Sequence, residues 1–349
     1  MEKIELTLAD DMPGYGVKGQ KVTLALTPAD VRQPEEMSTY LAGYYVPGFR
    51  ADEASKVVLV NHDEDKFRTF DTDDAFKRVF VKGSLQGAIP EVDPKSSLTN
   101  YKVVEKYVGS FIPMQTELNA EGLYNPKMAA ARRCKRALML DREFDVWGLL
   151  GTSSNWNAGN VLALTAGTQS WRTGSAPDPI LDLQTAEELS AQMITDWWMH
   201  KKTANIFLRN ANVRDYLKTI IGDGALNQAI VDINKSVASG AQYDFQIPGF
   251  APIHIVSGKA KDASGNLGYI FPDVVVGTVS APGTPTDGET IATSYTFRRK
   301  GPGGVGFETR EFFVEGRGPL GGTMIVAAMA DVPIMTGPIV GAIITNVIA

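Results

Sequence analysis

The side chains best suited to bind a metal, attack a bond or move a proton are few: three histidines, His62, His200 and His254, and one cysteine, Cys134. No histidine lies within ligand spacing of another or of Cys134, which argues against the usual zinc sites. An isolated imidazole reads first as a hydrogen-bonded structural residue. Cys134 falls on the apolar face of a helical stretch and reads as a small core residue, not a nucleophile. No serine stands in a Gly-x-Ser-x-Gly elbow. The run Gly301-Pro302-Gly303-Gly304-Val305-Gly306 lacks the Lys and Ser/Thr of a phosphate loop and the helix that should follow it. It reads as a hairpin turn between SYTFRRK and TREFFVEGR. The acidic groups Asp63, Glu64, Asp65 and Asp71, Asp73, Asp74 lack the central Gly and terminal Glu of a calcium loop and read as solvated turns. Catalysis, a cofactor and a bound metal are therefore not expected.

What the sequence does concentrate is charge. Lys127, Arg132, Arg133, Lys135 and Arg136 crowd the first half of NPKMAAARRCKRALMLDREFDVWGLL, and Asp141, Glu143 and Asp145 follow. That order opposes the helix dipole, which favours anions early and cations late. A partner outside the helix could use the basic end; a solvated face with long side chains over an apolar core is the plainer reading.

The element that must position these charges is a helix over 126–150. Asn125 suits the cap and Pro126 the first helical position. The interior is built of good helix formers. Cys134, Ala137, Leu140, Phe144, Trp147 and Leu150 recur at threes and fours and should share the buried face. Gly148 and Gly151 loosen and end the helix.

Residues 1–50 are irregular, with KIELTL and KVTLAL as short alternating segments, and read as an arm that lies on a neighbour. KVVLV is a strand. DKFRTFD and FKRVFV alternate and predict a two-stranded ribbon over about 63–89, turning at DTDDA. Such a ribbon is marginal alone in water. GSLQGAIPEVDPKSSLTN reads as loop. Asp182 is the predicted cap of a helix carrying Ala186, Leu189, Met193 and Trp197. ANIFLRN reads as a short buried strand, and NVRDYLKTIIG as a helix capped by Asn212 and stopped by Gly222.

With 349 residues, 44% hydrophobic and 21% charged, the chain can bury a large core. A formal charge of −6 argues against coating nucleic acid through bulk positive charge. One cysteine rules out an internal disulfide. The start, MEKIELTLAD, has no signal-peptide pattern. The apolar tail from Met324 is broken by Asp331, Pro333, Gly337, Pro338 and Gly341, so no membrane span is expected.

The order of these parts resembles the major capsid proteins of tailed bacteriophages, with the HK97-type fold. An arm, a ribbon and a long helix occur in that order. DREFDVWGLLGT, Trp171, Asp178-Pro179-Ile180-Leu181-Asp182-Leu183 running into a helix, ANIFLRNANVRDYLK and VPIMTGPIVGAIITNVIA look like patterns of that family. The resemblance implies an α+β, HK97-like fold. It places an N-terminal arm at 1–55 and an extended β-hairpin loop at 56–100. A peripheral domain follows at 101–184 and 326–349, with the spine helix at 126–150, and an axial domain at 185–325. It implies a structural subunit, not an enzyme, that assembles as hexamers and pentamers into an icosahedral virion shell around double-stranded DNA, built in the host cytoplasm. Lys127, Arg132, Arg133, Lys135 and Arg136 would face the lumen and touch DNA weakly and non-specifically. Lys66, Arg68, Asp71, Lys77, Arg78 and Lys82 would lie in the loop between subunits. A portal is a further implied partner, and a decoration protein is compatible with the reading. Since the chain starts directly with the arm, a separate scaffolding protein is implied, or a leading segment was removed. Some family members join a loop Lys to a neighbour's Asn. Nothing marks Lys66, Lys77 or Lys82 for this, so a shell without covalent links is expected. The alternatives are an encapsulin-like nanocompartment shell and an unrelated α+β hydrolase, for which carboxylate separation would matter.

Overall fold

The computed structural model describes residues 46, 48–70, 96–120, 124–221, 244–261, 264–280, 291–301, 306–315, 317 and 320–348. The KIELTL and KVTLAL segments, FKRVFV, the DTDDA turn and Gly222 lie outside them. The described residues mix helix and sheet, as expected, around two main sheets.

The first sheet is organised by β14 (Gly322–Met335), fourteen residues long. Along one side of it runs β4 (Val104–Pro113), paired from Asp331 to Gly322. The other side is shared end to end by β12 (Ser294–Arg299), opposite residues 331–335, and β13 (Glu308–Val314), opposite residues 322–328. β1 (Lys56–Val60) adds in parallel to β12. The two strands around the glycine run therefore exist, but they do not form a hairpin with each other: both bond to β14. Strand length explains the difference, because one long strand can hold two shorter ones on a single edge.

The second sheet runs β5 (Val161–Ala163), β15 (Ala342–Thr345), β11 (Val275–Thr278), β6 (Asp196–His200), β8 (Ile253–Val256), β7 (Asp244–Phe245). Its strands are covered on both faces, and so read as continuous apolar runs. Alternation divides them. Trp197, Met199, Val275 and Ile344 join one cluster, with Leu183, Phe207, Val213 and Leu217 from helices. Trp198, Val276 and Ile343 join another, with Val146, Trp147 and Leu150. The C-terminal stretch thus contributes one strand to each sheet.

The long helix spans Pro126–Leu150, as predicted; Asn125 Oδ1 accepts from the Met128 N–H at 3.2 Å, and the Gly151 N–H donates to Trp147 O at 2.8 Å. Its buried face differs from the expected one. Ala130, Ala131, Cys134 and Leu138 pack on Ile112, Ile325 and Ala327 of the first sheet, and Val146, Trp147 and Leu150 pack under the second. Ala137 and Phe144 point outward. The apolar stripe passes through buried Arg142 and Glu143, so a search for apolar spacing follows the wrong turn of the helix.

Several local readings are corrected. The helix α4 (Pro179–Leu189), where α1 is Ala51–Ala54, α2 Met114–Asn119 and α3 the long helix, is capped by Asp178, whose Oδ1 accepts from the Leu181 N–H at 3.2 Å. Asp182 is instead buried and accepts from Trp171 Nε1 at 2.8 Å. Met193 is 77% exposed beyond the helix, and Trp197 lies in β6. ANIFLR belongs to helix α5 (Lys201–Arg209), closed by Asn210 as its C-cap, with Thr203, Ala204 and Phe207 buried at helical spacing. Short apolar runs do not separate strand from helix, and here the polar Lys201-Lys202-Thr203 lead-in belongs to the same element. Its cap is His200, whose Nδ1 accepts from the Thr203 N–H at 3.0 Å. Helix α6 (Ala211–Ile221) begins before Asn212, with the Asn212 N–H held by Asn210 Oδ1 at 2.9 Å. SSLTN is not loop: it lies in β3 (Ser96–Lys102), the antiparallel partner of β2 (Glu64–Phe70). The strand that pairs with DKFRTF is thus SSLTNYK, and the ribbon's closing strand lies further along the chain than FKRVFV.

Candidate functional site

Among the described residues, no group of three His, Cys, Asp or Glu is placed to hold a metal, and no helix is long and apolar enough to cross a membrane. Cys134 is buried, with its thiol pushed up by burial. The histidines at 200 and 254 are tied to carboxylates: His200 Nε2 faces Asp273 at 2.5 Å, and His254 bridges Asp244 at 2.7 Å and Asp196 at 2.9 Å. Burial works against charge on His254, yet its hydrogen bonds to Asp196 and Asp244 hold it up to about 9.

The basic strip of the long helix is divided by the packing. Arg132, Arg133 and Arg136 are exposed. Arg133 Nε donates back to Ala129 O at 3.3 Å. Lys127 is paired with Glu311 at 2.5 Å and Glu117 at 3.2 Å. Lys135 is buried, with its ammonium 5.4 Å from the centre of the Phe307 ring. Burial, then Arg298, lowers it to about 8. One further turn along, Asp141 and Asp145 both hold Lys106 of β4. The helix surface thus presents three arginines beside an acidic stretch already neutralised in part from the sheet.

The ribbon is seated on the protein's own body at its root. Phe67 and Tyr101 share one face, both nearly fully buried, and meet Phe297 of β12 at centroid distances of 5.0 and 4.6 Å. The Val103 N–H closes the root on Asp63 O at 2.8 Å. The opposite face is open: Lys66, Leu98 and Asn100 are exposed, and Glu64 pairs with Lys102. The side chain of Arg68, and all of Asp71, Lys77, Arg78 and Lys82, lie outside the described residues.

A third cluster escaped sequence reading. Where the chain leaves the N-terminal segment, three consecutive residues are fastened to other elements. Arg50 is buried, pairs with Asp244 (Nη2 to Oδ2 at 3.0 Å) and Glu53, and lies 5.5 Å from the centre of the Trp198 ring. The Ala51 N–H donates to Glu143 at 2.7 Å. Asp52 meets Arg142 and Arg298. These partners are scattered over more than two hundred residues, so no spacing in the sequence could announce them.

No family model and no curated protein matches the chain. Solved structures do. A phage-related protein from Bordetella bronchiseptica RB50 superposes with a TM-score of 0.62 at 16% identity, over 90% of this chain and 97% of that one. The putative capsid protein of a prophage of E. coli CFT073 gives 0.54 at 12% identity, over 90% and 99%. The capsid chain of a native GTA particle gives 0.50 at 11%, over 86% and 91%. At these identities the likeness is one of fold. The resemblance read from the order of segments holds at that level: this chain folds as phage capsid subunits fold.

Proposed function

We propose that the chain is the shell-forming subunit of a tailed-phage capsid. The observation that carries this is a fold shared over 90% of the chain with phage-related and prophage-capsid chains that are themselves matched over 97% and 99% of their length. Hexamers and pentamers of the subunit enclose double-stranded DNA in the virion after assembly in the host cytoplasm, with a portal as a partner. The arm at 1–55, the loop at 56–100, the peripheral domain at 101–184 and 326–349 and the axial domain at 185–325 are its working parts. The role is structural and asks no residue to do chemistry. Closed shells are built from repeated contacts between copies. A ribbon with one seated and one open face suits such contacts, since burial completed on assembly adds to stability. Size exclusion of the purified chain followed by negative-stain microscopy tests the proposal. Shells or capsomers are expected, and a compact monomer under all assembly conditions overturns it.

Within that reading, the exposed part of the lumenal basic strip is Arg132, Arg133 and Arg136, since Lys135 is buried and Lys127 is half-buried against Glu117 and Glu311. Exchanging the three arginines for glutamine should leave shell assembly intact and loosen DNA retention. If each arginine neutralises one phosphate, the slope of retention against log salt should fall by about 2–3. Retention with an unchanged salt slope removes the strip from the DNA-facing wall.

A further inference from the structure

Three neighbouring strands of the second sheet bring Asp196, His254 and Asp244 together on one face. His254 of β8 stands directly opposite Asp244 of β7 and Trp198 of β6. Asp196 precedes Trp198 by two residues, so it shares that face and meets His254 on the diagonal. The ring stacks on Trp198 at 4.5 Å, with Nδ1 2.7 Å from Asp244 Oδ1 and Nε2 2.9 Å from Asp196 Oδ1. Each carboxylate is also used at its second oxygen. Asp244 Oδ2 accepts from Arg50 Nη2 at 3.0 Å, and Asp196 Oδ2 from Thr195 Oγ1 at 2.7 Å. Acceptance at both oxygens is the pattern of an ionised carboxylate, which has no proton to give. Both ring nitrogens must then donate, and only the imidazolium has two N–H groups.

We infer that His254 is a cationic clasp across three strands: while protonated it holds Asp196 and Asp244 at once, and on losing its proton it keeps at most one of them and the edge of the sheet loosens. The edge strand β7 is two residues long, so its own ladder holds it weakly. Asp244 also pairs with Arg50, so the clasp reaches the root of the N-terminal segment. The charged groups facing the ring are Asp196 from β6, Asp244 from β7 and, beyond Asp244, Arg50 and Glu53 from that segment. Burial works against the charge on His254, but the bonds to Asp196 and Asp244 outweigh it and hold the ring up to about 9, with Arg50 opposing. Burial raises both aspartates, yet His254 brings both down, helped by Thr195 at Asp196 and by Arg50 at Asp244. They stay ionised above neutrality, and Glu143 under the same segment, raised by burial to about 7, has given up its proton before pH 8. A histidine whose folded value lies above its unfolded value stabilises the fold fully below the unfolded value, and that contribution is lost as pH rises through the folded one, here about 9.

The chain has three histidines, so magnetic resonance of the full chain labelled at the histidine rings gives one signal for each. The signal lost in His254→Gln should keep its imidazolium shift at pH 7.5 and change over near pH 9. Urea unfolding of wild type and His254→Gln between pH 7 and 10 reads the consequence. Wild type should resist more urea at pH 7, and that lead should shrink with rising pH, by on the order of fiftyfold in the folding constant at pH 10. A ring midpoint below pH 8, or a lead that is unchanged at pH 10, overturns the clasp. Should His254→Gln fail to fold, His62→Gln and His200→Gln assign the other two signals and the remaining midpoint decides alone: above pH 8 supports the clasp, and below pH 8 overturns it.

Discussion

Asp331→Ala should destabilise the fold by about 3–5 kcal/mol, the cost of leaving buried charge without its partner. Asp331 is 2% exposed on β14. Arg142 Nε of the long helix lies 3.4 Å from it and Arg298 Nη2 of β12 3.6 Å, and both guanidiniums are themselves deeply set. These separations show ion pairing without close hydrogen bonds; among the described residues neither Asp331 oxygen has a hydrogen-bond partner. Burial raises the Asp331 carboxyl and lowers Arg298, while Arg298 and Lys106 pull Asp331 back down. The cluster is thus held by mutual charge against a desolvation cost that each member bears. Removing the aspartate leaves two guanidiniums facing one half-exposed carboxylate, Asp52, with Lys135 nearby. Chemical unfolding followed by tryptophan fluorescence would measure the loss. The triple replacement Asp331→Leu, Arg142→Met, Arg298→Met removes the uncompensated charge and should recover most of it. If Asp331→Ala costs under 1 kcal/mol, water already compensates the cluster and the burial argument is wrong.

The same cluster shows why part of this molecule was legible in its sequence and part was not. The ends of the long helix could be read because Asn125, Pro126 and Gly151 act locally, through their own backbone and side chain. Its buried face could not, because Arg142 and Glu143 occupy core positions that only distant partners justify: Asp331, Asp52 and the Ala51 N–H. KVVLV, SYTFRRK and TREFFVEGR declared themselves as strands by composition, but their arrangement depends on β14 being long enough to serve two neighbours on one side. The helix over 201–209 was hidden because its cap is a histidine, an uncommon capping residue, and its apolar positions are packed into a short run. Of the candidate sites, the strip of five cations was visible as composition. That Lys135 is buried against Phe307 and Lys127 held by Glu311 was not, since those partners lie more than 170 residues away in sequence.

Truncating the root of the ribbon should separate folding from assembly. In Phe67→Ala/Tyr101→Ala, the β2–β3 ribbon loses both rings that seat it on Phe297, stacked at 4.6 Å in the case of Tyr101. Each ring deletion in a packed site is worth about 3–5 kcal/mol. Because both rings contact the same phenylalanine, the two losses should sum to less than twice that. A two-stranded ribbon has little stability of its own, so this loss suffices to undock it. The body has separate supports: all five tryptophans, Trp147, Trp156, Trp171, Trp197 and Trp198, are buried in it and none lies in the ribbon. Their fluorescence should therefore stay native-like in the double variant, while proteolysis opens within residues 61–102 and particle yield by microscopy falls at least tenfold. A red-shifted tryptophan spectrum would instead make the ribbon root part of the common core. Native fluorescence together with full particle yield would mean that copies of this chain meet without the docked ribbon, and the contact surface would then have to be sought on β4 and the outer face of the long helix, where Val104, Tyr107 and Phe144 stand exposed.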